Sequence, residues 1–152
     1  MLDYYRRRAA YYERVYHEPE RQTDLRAIEA WVARAFVGRR VLELACGTGW
    51  WTPHGASHCK QWLATDLNPE TMAIARQKPL PERRVSFETV DAYSLSELGN
   101  RTFDAAFAGC DGDHVFDAGN LHHAACASGG WLGRSVTVAV AVFVATTVAG
   151  GA

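Results

Sequence analysis

Residues 41–66, VLELACGTGWWTPHGASHCKQWLATD, constrain the fold more than any other part of the chain. The stretch opens on a short apolar run, Val41-Leu42-Glu43-Leu44, bounded by a glycine turn, as in a strand buried on both faces. The turn itself is Ala45-Cys46-Gly47-Thr48-Gly49, and a second apolar run, Trp62-Leu63-Ala64, ends in an acid, Asp66. This spacing fits a βαβ unit in which an acid at the tip of the second strand bonds a ribose hydroxyl pair. Glycines at 47 and 49 allow a ligand close to the backbone, and the turn leads into a helix start with free N–H groups. A nucleoside-bearing cofactor lying over the carboxyl ends of parallel strands is the first expectation.

Two residues then narrow the cofactor. A dinucleotide fingerprint places a third Gly or Ala three residues after its second glycine, but here Gly49 is followed by Trp50, Trp51 and Thr52. Glu43, two residues before the turn, would repel a pyrophosphate and would attract a ligand carrying an ammonium and a sulfonium. S-adenosylmethionine is such a ligand.

On these residues the chain resembles the class I S-adenosylmethionine-dependent methyltransferases. LELACGTGWWT is similar to their first motif, with Ala45 in the first glycine slot. ATDLNPETMAIAR (64–76) resembles the second-strand acid and its helix, VSFETVDAYSL (85–95) the third strand and the acid that reads adenine, and RTFDAAFAG (101–109) the fourth strand. The resemblance covers residues 1–109. It implies an α/β, Rossmann-like doubly wound parallel sheet, incomplete on its C-terminal side, with N-terminal helices capping the cofactor edge. It also implies a division of roles. Glu43 and the turn Ala45, Cys46, Gly47 and Gly49 would hold the methionine part. Asp66, with Leu67 beside it, would take the ribose hydroxyls; Asp91 and Ala92 would meet the adenine; Gly109 would border the transferred methyl group. The partner would be a small-molecule methyl acceptor, and no catalytic residue is assigned, because methyl transfer is mostly positioning. An NAD-dependent oxidoreductase uses the same βαβ logic and is the alternative enzyme reading. A non-catalytic cofactor-binding remnant is the alternative outside catalysis.

Around this core the chain divides into three parts: a helical cap at 1–38, the cofactor-binding core at 39–109 and an atypical tail at 110–152. Residues 2–16 read as a helix with Tyr4, Arg8 and Tyr11 on one side and Tyr5, Tyr12 and Tyr16 on another. These tyrosines are a packing stripe or a lid, and Tyr4 and Tyr11 are the lid candidates. Pro19 breaks the helix, and Thr23 or Asp24 is placed to cap a second one carrying Leu25, Ile28, Trp31, Val32, Ala35 and Phe36. Pro53 restricts the helix after the glycine turn to its first turn, whereas Pro69 suits the start of a better helix over 70–78. Trp50 and Trp51 are expected to pack against the sheet.

The net charge of −1 gives no electrostatic case for nucleic acid or for an anionic membrane. Four cysteines without framework spacing, and no signal peptide, point to reduced thiols and a cytoplasmic setting. Beyond Gly109 the composition changes. Of the charged residues only Asp111, Asp113, Asp117 and Arg134 lie there, with no Lys, Glu or Pro. The expectation is an aberrant, frame-shifted extension or a single further strand, the valine-rich run at 136–144 being a candidate fifth, central strand. It is too short and too β-branched for a membrane helix. Cys110, His114, His122, His123 and Cys126 lack zinc-site spacing, so no metal is expected. His114, following the fourth strand, is a substrate-side candidate.

Overall fold

The computed structural model describes residues 11, 13–111, 125–126 and 136–142. The four core strands are β1 (Arg40–Glu43), β2 (Gln61–Asp66), β3 (Val85–Thr89) and β4 (Ala105–Asp111). Two further strands, β5 (Ala125–Cys126) and β6 (Val136–Val142), complete a six-stranded sheet in the order β3-β2-β1-β4-β6-β5. β1 pairs in parallel with both β2 and β4, and β2 in parallel with β3. The chain therefore builds outward from β1 in one direction and then crosses to its other side. That reversal is the topological switch point of a doubly wound fold.

The valine-rich run forms a strand, as its β-branched pattern suggests, but not a parallel one. β6 is antiparallel to β4, with Asp111 opposite Val136 and Ala105 opposite Val142. A parallel neighbour would require the chain to return to the amino end of the sheet through a crossover. Here β6 starts level with the end of β4 and simply runs back.

The helices are α1 (Gln22–Ala35), α2 (Thr52–Ala56) and α3 (Pro69–Ala75). α1 begins directly after a 3-10 turn at Pro19–Arg21, so the break expected around Pro19 narrows to Glu18. Gln22 ties this start down, its side chain donating to the carbonyls of Tyr16 and Glu18 at 2.9 and 3.2 Å. The apolar stripe of α1 buries Leu25, Val32 and Phe36, while Trp31 stays 41% exposed. α2 has only five residues; Pro53 sits in its first turn, where no backbone N–H is missed. α3 has Asn68 as its N-cap, accepting from the Glu70 N–H at 2.9 Å. Of the helix expected over 2–16, the described residues are Tyr11, which is helical, and a 3-10 segment at Glu13–His17; the remainder lies outside the described residues.

Strand alternation sorts the core onto two faces. Val41, Trp62, Ala64, Ala105 and Phe107 face α1 and α2, packing with Val32, Phe36, Trp51 and Ala56. Leu42, Leu44, Leu63, Ala106 and Ala108 face the other way, against Val90, Leu98 and the half-buried Leu95 and Phe103. β1 is thus apolar on both faces, which is why its sequence reads as a continuous run rather than an alternation. Arg40 fixes where β1 and β4 start: its guanidinium donates to Asp104 at 2.9 and 3.2 Å, and its backbone N–H donates to the same carboxylate at 2.8 Å. This pairing holds the Asp104 carboxyl down at about 2.

Candidate functional site

The glycine turn leaves the carboxyl end of β1 beside the switch point. Three of its residues take the left-handed conformation, Ala45 (φ 51°), Gly47 (φ 55°) and Gly49 (φ 72°). Gly49 has a second reason to be glycine, since a Cβ there would stand 2.6 Å from the Ala75 Cβ and 3.2 Å from its Cα. Gly47 is different: a Cβ there would meet nothing within 4 Å, so the turn presents bare backbone to open space. Asp66 holds the turn in place. One of its oxygens accepts from the Gly47 N–H and the other from the Asn68 N–H, each at 2.8 Å. Each oxygen keeps a lone pair for a further donor.

Glu43 points from β1 into the face that also holds Trp62. Its side chain is buried, with one oxygen accepting from the Trp62 indole N–H at 2.6 Å and the Thr52 hydroxyl at 2.7 Å. Burial raises the carboxyl from 4.5 to about 7, against the lowering effect of those two hydrogen bonds; the charge of Asp66 raises it further and that of Lys78 lowers it. Neither Glu43 nor Asp66 is in an ion pair with a Lys or Arg among the described residues. Burial pushes the Cys46 thiol far above the ordinary range, and the Glu43 and Asp66 charges add to this.

The 3-10 segment at Glu13–His17 lies against the turn. Glu13 accepts from the Thr48 hydroxyl at 2.8 Å and pairs with the Lys78 ammonium at 2.5 Å. Tyr16 stacks on Trp50, with ring centroids 4.5 Å apart and planes 7° apart, and meets Trp51 edge-on at 5.7 Å. Trp51 in turn packs against Phe107 and crowds Gly109, where a Cβ would stand 2.3 Å from its Cδ1. The indole N–H groups of Trp50 and Trp51 are buried with no acceptor.

The remaining expected residues fall as follows. Leu67 is 66% exposed at the tip of β2, Ala92 is half-buried after β3, and Asp91 forms a turn in which its carboxylate accepts from the Tyr93 N–H at 2.9 Å. Gly109 lies in β4, two residues past the Glu43–Phe107 register pair. Tyr11 is 70% exposed. Tyr4 and His114 lie outside the described residues, as do the side chains of Cys110 and Cys126. Among the described residues no group of three or more His, Cys, Asp or Glu is placed to hold a metal, and no helix is long and apolar enough to cross a membrane. A groove of about 660 Å³ opens at the opposite, amino end of the strands, lined by Arg40, Arg83, Arg84 and Arg101 among others. The glycine turn and the two acids lie at the carboxyl end, so the candidate site is placed there. Sequence reading missed Glu13, Thr48 and Lys78. Their contacts span 35 and 65 residues, and no local pattern marks them.

A sheet whose four core strands are parallel, with a glycine turn and a strand-tip acid at its switch point, defines a nucleoside-cofactor fold of the doubly wound class. The sequence profile of a family described as a methyltransferase domain matches residues 41–130, and the chain belongs to that family. The match runs past Gly109, where the resemblance was expected to stop. Among solved structures, an S-adenosylmethionine-dependent methyltransferase from Mesorhizobium loti is 29% identical over 53% of this chain and 38% of its own, with a TM-score of 0.44. The chain thus spans well under half the length of that protein. A TehB-like SAM-dependent methyltransferase from Corynebacterium glutamicum is 16% identical over 81% of this chain and 94% of its own, with a TM-score of 0.50. A structure described as a DhpI–SAM–HEP complex is 22% identical over 93% and 80%, also at 0.50. At these identities the last two show the fold alone. A search of curated proteins gives no significant match.

Proposed function

We propose that this chain binds S-adenosylmethionine and transfers its methyl group to a small-molecule acceptor by in-line displacement. The observation that carries the reading is the pair of carboxylates, Glu43 and Asp66, flanking a bare glycine turn, with no Lys or Arg in an ion pair with either among the described residues. Such a site disfavours a pyrophosphate and suits a ligand that is cationic at one end and carries a ribose at the other. Family membership supports the same reading.

The chain's own residues fit the cofactor. Asp66 keeps acceptor capacity on both oxygens for two hydroxyls, and Gly47 leaves room for close approach along the turn. Exposed Leu67 and half-buried Ala92 border the space where an adenine would lie, with Asp91 at its edge. Glu43, buried and without an ion-pair partner among the described residues, favours a positive charge nearby when ionised. Gly109, near the carboxyl end of β4, borders the transferring group from beneath the Trp51 ring that packs on it. The cofactor, when bound, supplies the activated methyl group; the protein positions both reactants and keeps water out. Tyr16, stacked on Trp50 above the turn, serves the latter role.

Calorimetric titration with S-adenosylhomocysteine, with Asp66→Ala alongside, tests the assignment. Saturable binding that the substitution weakens is expected. Absence of binding by a chain that circular dichroism shows to be folded overturns it.

A further inference from the structure

The crossover from β3 to β4 has to pass over β2 and β1, a span of three strand spacings or about 14 Å. Its helical part is the four-residue 3-10 turn at Leu95–Leu98, about 8 Å long. The cover on this face of the sheet is therefore partial. Leu63 of β2 is buried under it, but Ser86, its register partner on the edge strand β3, is exposed. The uncovered part is the groove of about 660 Å³ at the amino end, where the turn at 82–84 and the segment at 100–103 both contribute lining. Its four guanidiniums divide into two kinds. Arg40 is committed to Asp104, and Arg101 to Glu88 at 2.6 Å. Arg83 and Arg84, both exposed, have no carboxylate partner among the described residues; Arg84 donates once, to the Ser57 carbonyl at 3.1 Å. Glu82 is the opposing charge in the lining, and Lys60 stands near enough for its own charge to help lower the Asp104 carboxyl.

We propose that this groove is a second binding site, for a small phosphate monoester with an apolar body. Arg83 and Arg84 hold the phosphate, and Leu63 with the half-buried Val85 and Phe103 carries the body. Charge matching selects the head group: two guanidiniums without carboxylates balance a dianion, which a phosphate monoester is near neutral pH and a single carboxylate is not. Geometry selects it too, because the planar fork of arginine meets phosphate oxygens in pairs. The side chains of Gln61, Ser86 and Asn100 line the same groove with no partner of their own among the described residues, and supply neutral donors beside the guanidiniums. The volume suits one small organic molecule. The glycine turn and Asp66 lie at the other end of the same strands, so this site stands independently of the cofactor reading.

The test is titration of the full chain with phenyl phosphate at pH 7.5, followed by backbone amide nuclear magnetic resonance. Saturable shifts are expected at Arg84, Ser86 and Asn100, with Gly47 and Asp66 unmoved. Arg83→Gln and Arg84→Gln are each expected to weaken binding about tenfold, as loss of a charge-assisted hydrogen bond does. Glu82→Gln, which removes the opposing charge, is expected to tighten it about twofold or more. Inorganic phosphate should move the same amides with several-fold lower affinity, and benzyl alcohol should move none. Shifts centred on Gly47 and Asp66, or displacement of phenyl phosphate by S-adenosylhomocysteine, would place the probe in the other site and overturn the proposal. Equal affinity for inorganic phosphate and phenyl phosphate overturns the apolar floor. Unchanged affinity in both arginine variants, each folded by circular dichroism, overturns the phosphate site itself.

Discussion

Replacing Glu43 by Gln separates the electrostatic burden of this residue from its hydrogen bonds. In the folded chain the carboxyl titrates at about 7 instead of 4.5, with burial the leading cause. The folded state therefore holds this proton more tightly than the unfolded chain does. The associated stability is fully present below pH 4.5 and is lost as pH rises through 7. At about 1.4 kcal/mol per tenfold change in proton affinity, the span from 4.5 to about 7 corresponds to about 3 kcal/mol between pH 4 and pH 8. Glutamine keeps an oxygen for the Trp62 and Thr52 donors but does not ionise. Its constant penalty, from an amide group newly buried, is the same at every pH. Urea unfolding followed by tryptophan fluorescence at pH 5, 6, 7 and 8 should show the variant gaining on the wild type by about 2–2.5 kcal/mol across that range. Asp104 titrates in a lower window, losing its contribution as pH falls from 3.8 toward 2, and it is common to both chains, so it cancels in the comparison. A stability difference that stays constant from pH 5 to pH 8 would refute the argument.

Other substitutions follow from the turn and its cover. Ala45→Gly relieves a non-glycine residue at φ 51° and is expected to stabilise the chain by about 1 kcal/mol in urea unfolding. Gly109→Ala drives a methyl group into the Trp51 ring and should destabilise by about 1–3 kcal/mol, with an altered near-ultraviolet circular dichroism spectrum. Glu13→Gln removes a half-buried ion pair worth about 1 kcal/mol; it should lower the melting temperature by about 2–6 °C while amide exchange at Thr48 and Trp50 quickens. Binding of a cationic cofactor should tighten from pH 6 to pH 8 as Glu43 ionises, and calorimetry on the Glu43→Gln variant should find that dependence gone.

The parallel core was legible because it is local in sequence. Val41-Leu42 and Trp62-Leu63-Ala64 are apolar runs bounded by turn residues, and the 45–49 turn and Asp66 are adjacent in the pattern as they are in space. Pro53 and Pro69 marked two helix starts by simple stereochemistry. What could not be read arises from contacts between distant positions. Nothing near Glu13 announces Lys78, and nothing in the alternation of the valine-rich run announces that it lies antiparallel to β4. Glu43 shows the same limit: its charge was visible, but its burial against Trp62 was not, so a titration near neutrality was not foreseen. Trp31, one of the apolar residues the second helix carries, is 41% exposed, because α1 presents only part of its stripe to the sheet.

The clamp between Arg40 and Asp104 closes a loop of 64 residues, and β1 has no neighbour on that side until it closes. A ribosome makes β1, β2 and β3 first. While they are paired among themselves, the Val41-Leu42 edge of β1 is an open template with an apolar centre, charged only at its ends by Arg40 and Glu43. For that interval the growing chain is at its most adhesive, and the arrival of β4 ends the exposure. The same strand that completes the cofactor crevice thus also protects the newborn protein from its siblings, so substitutions that slow β4 docking should first appear as poor yield and only then as poor binding.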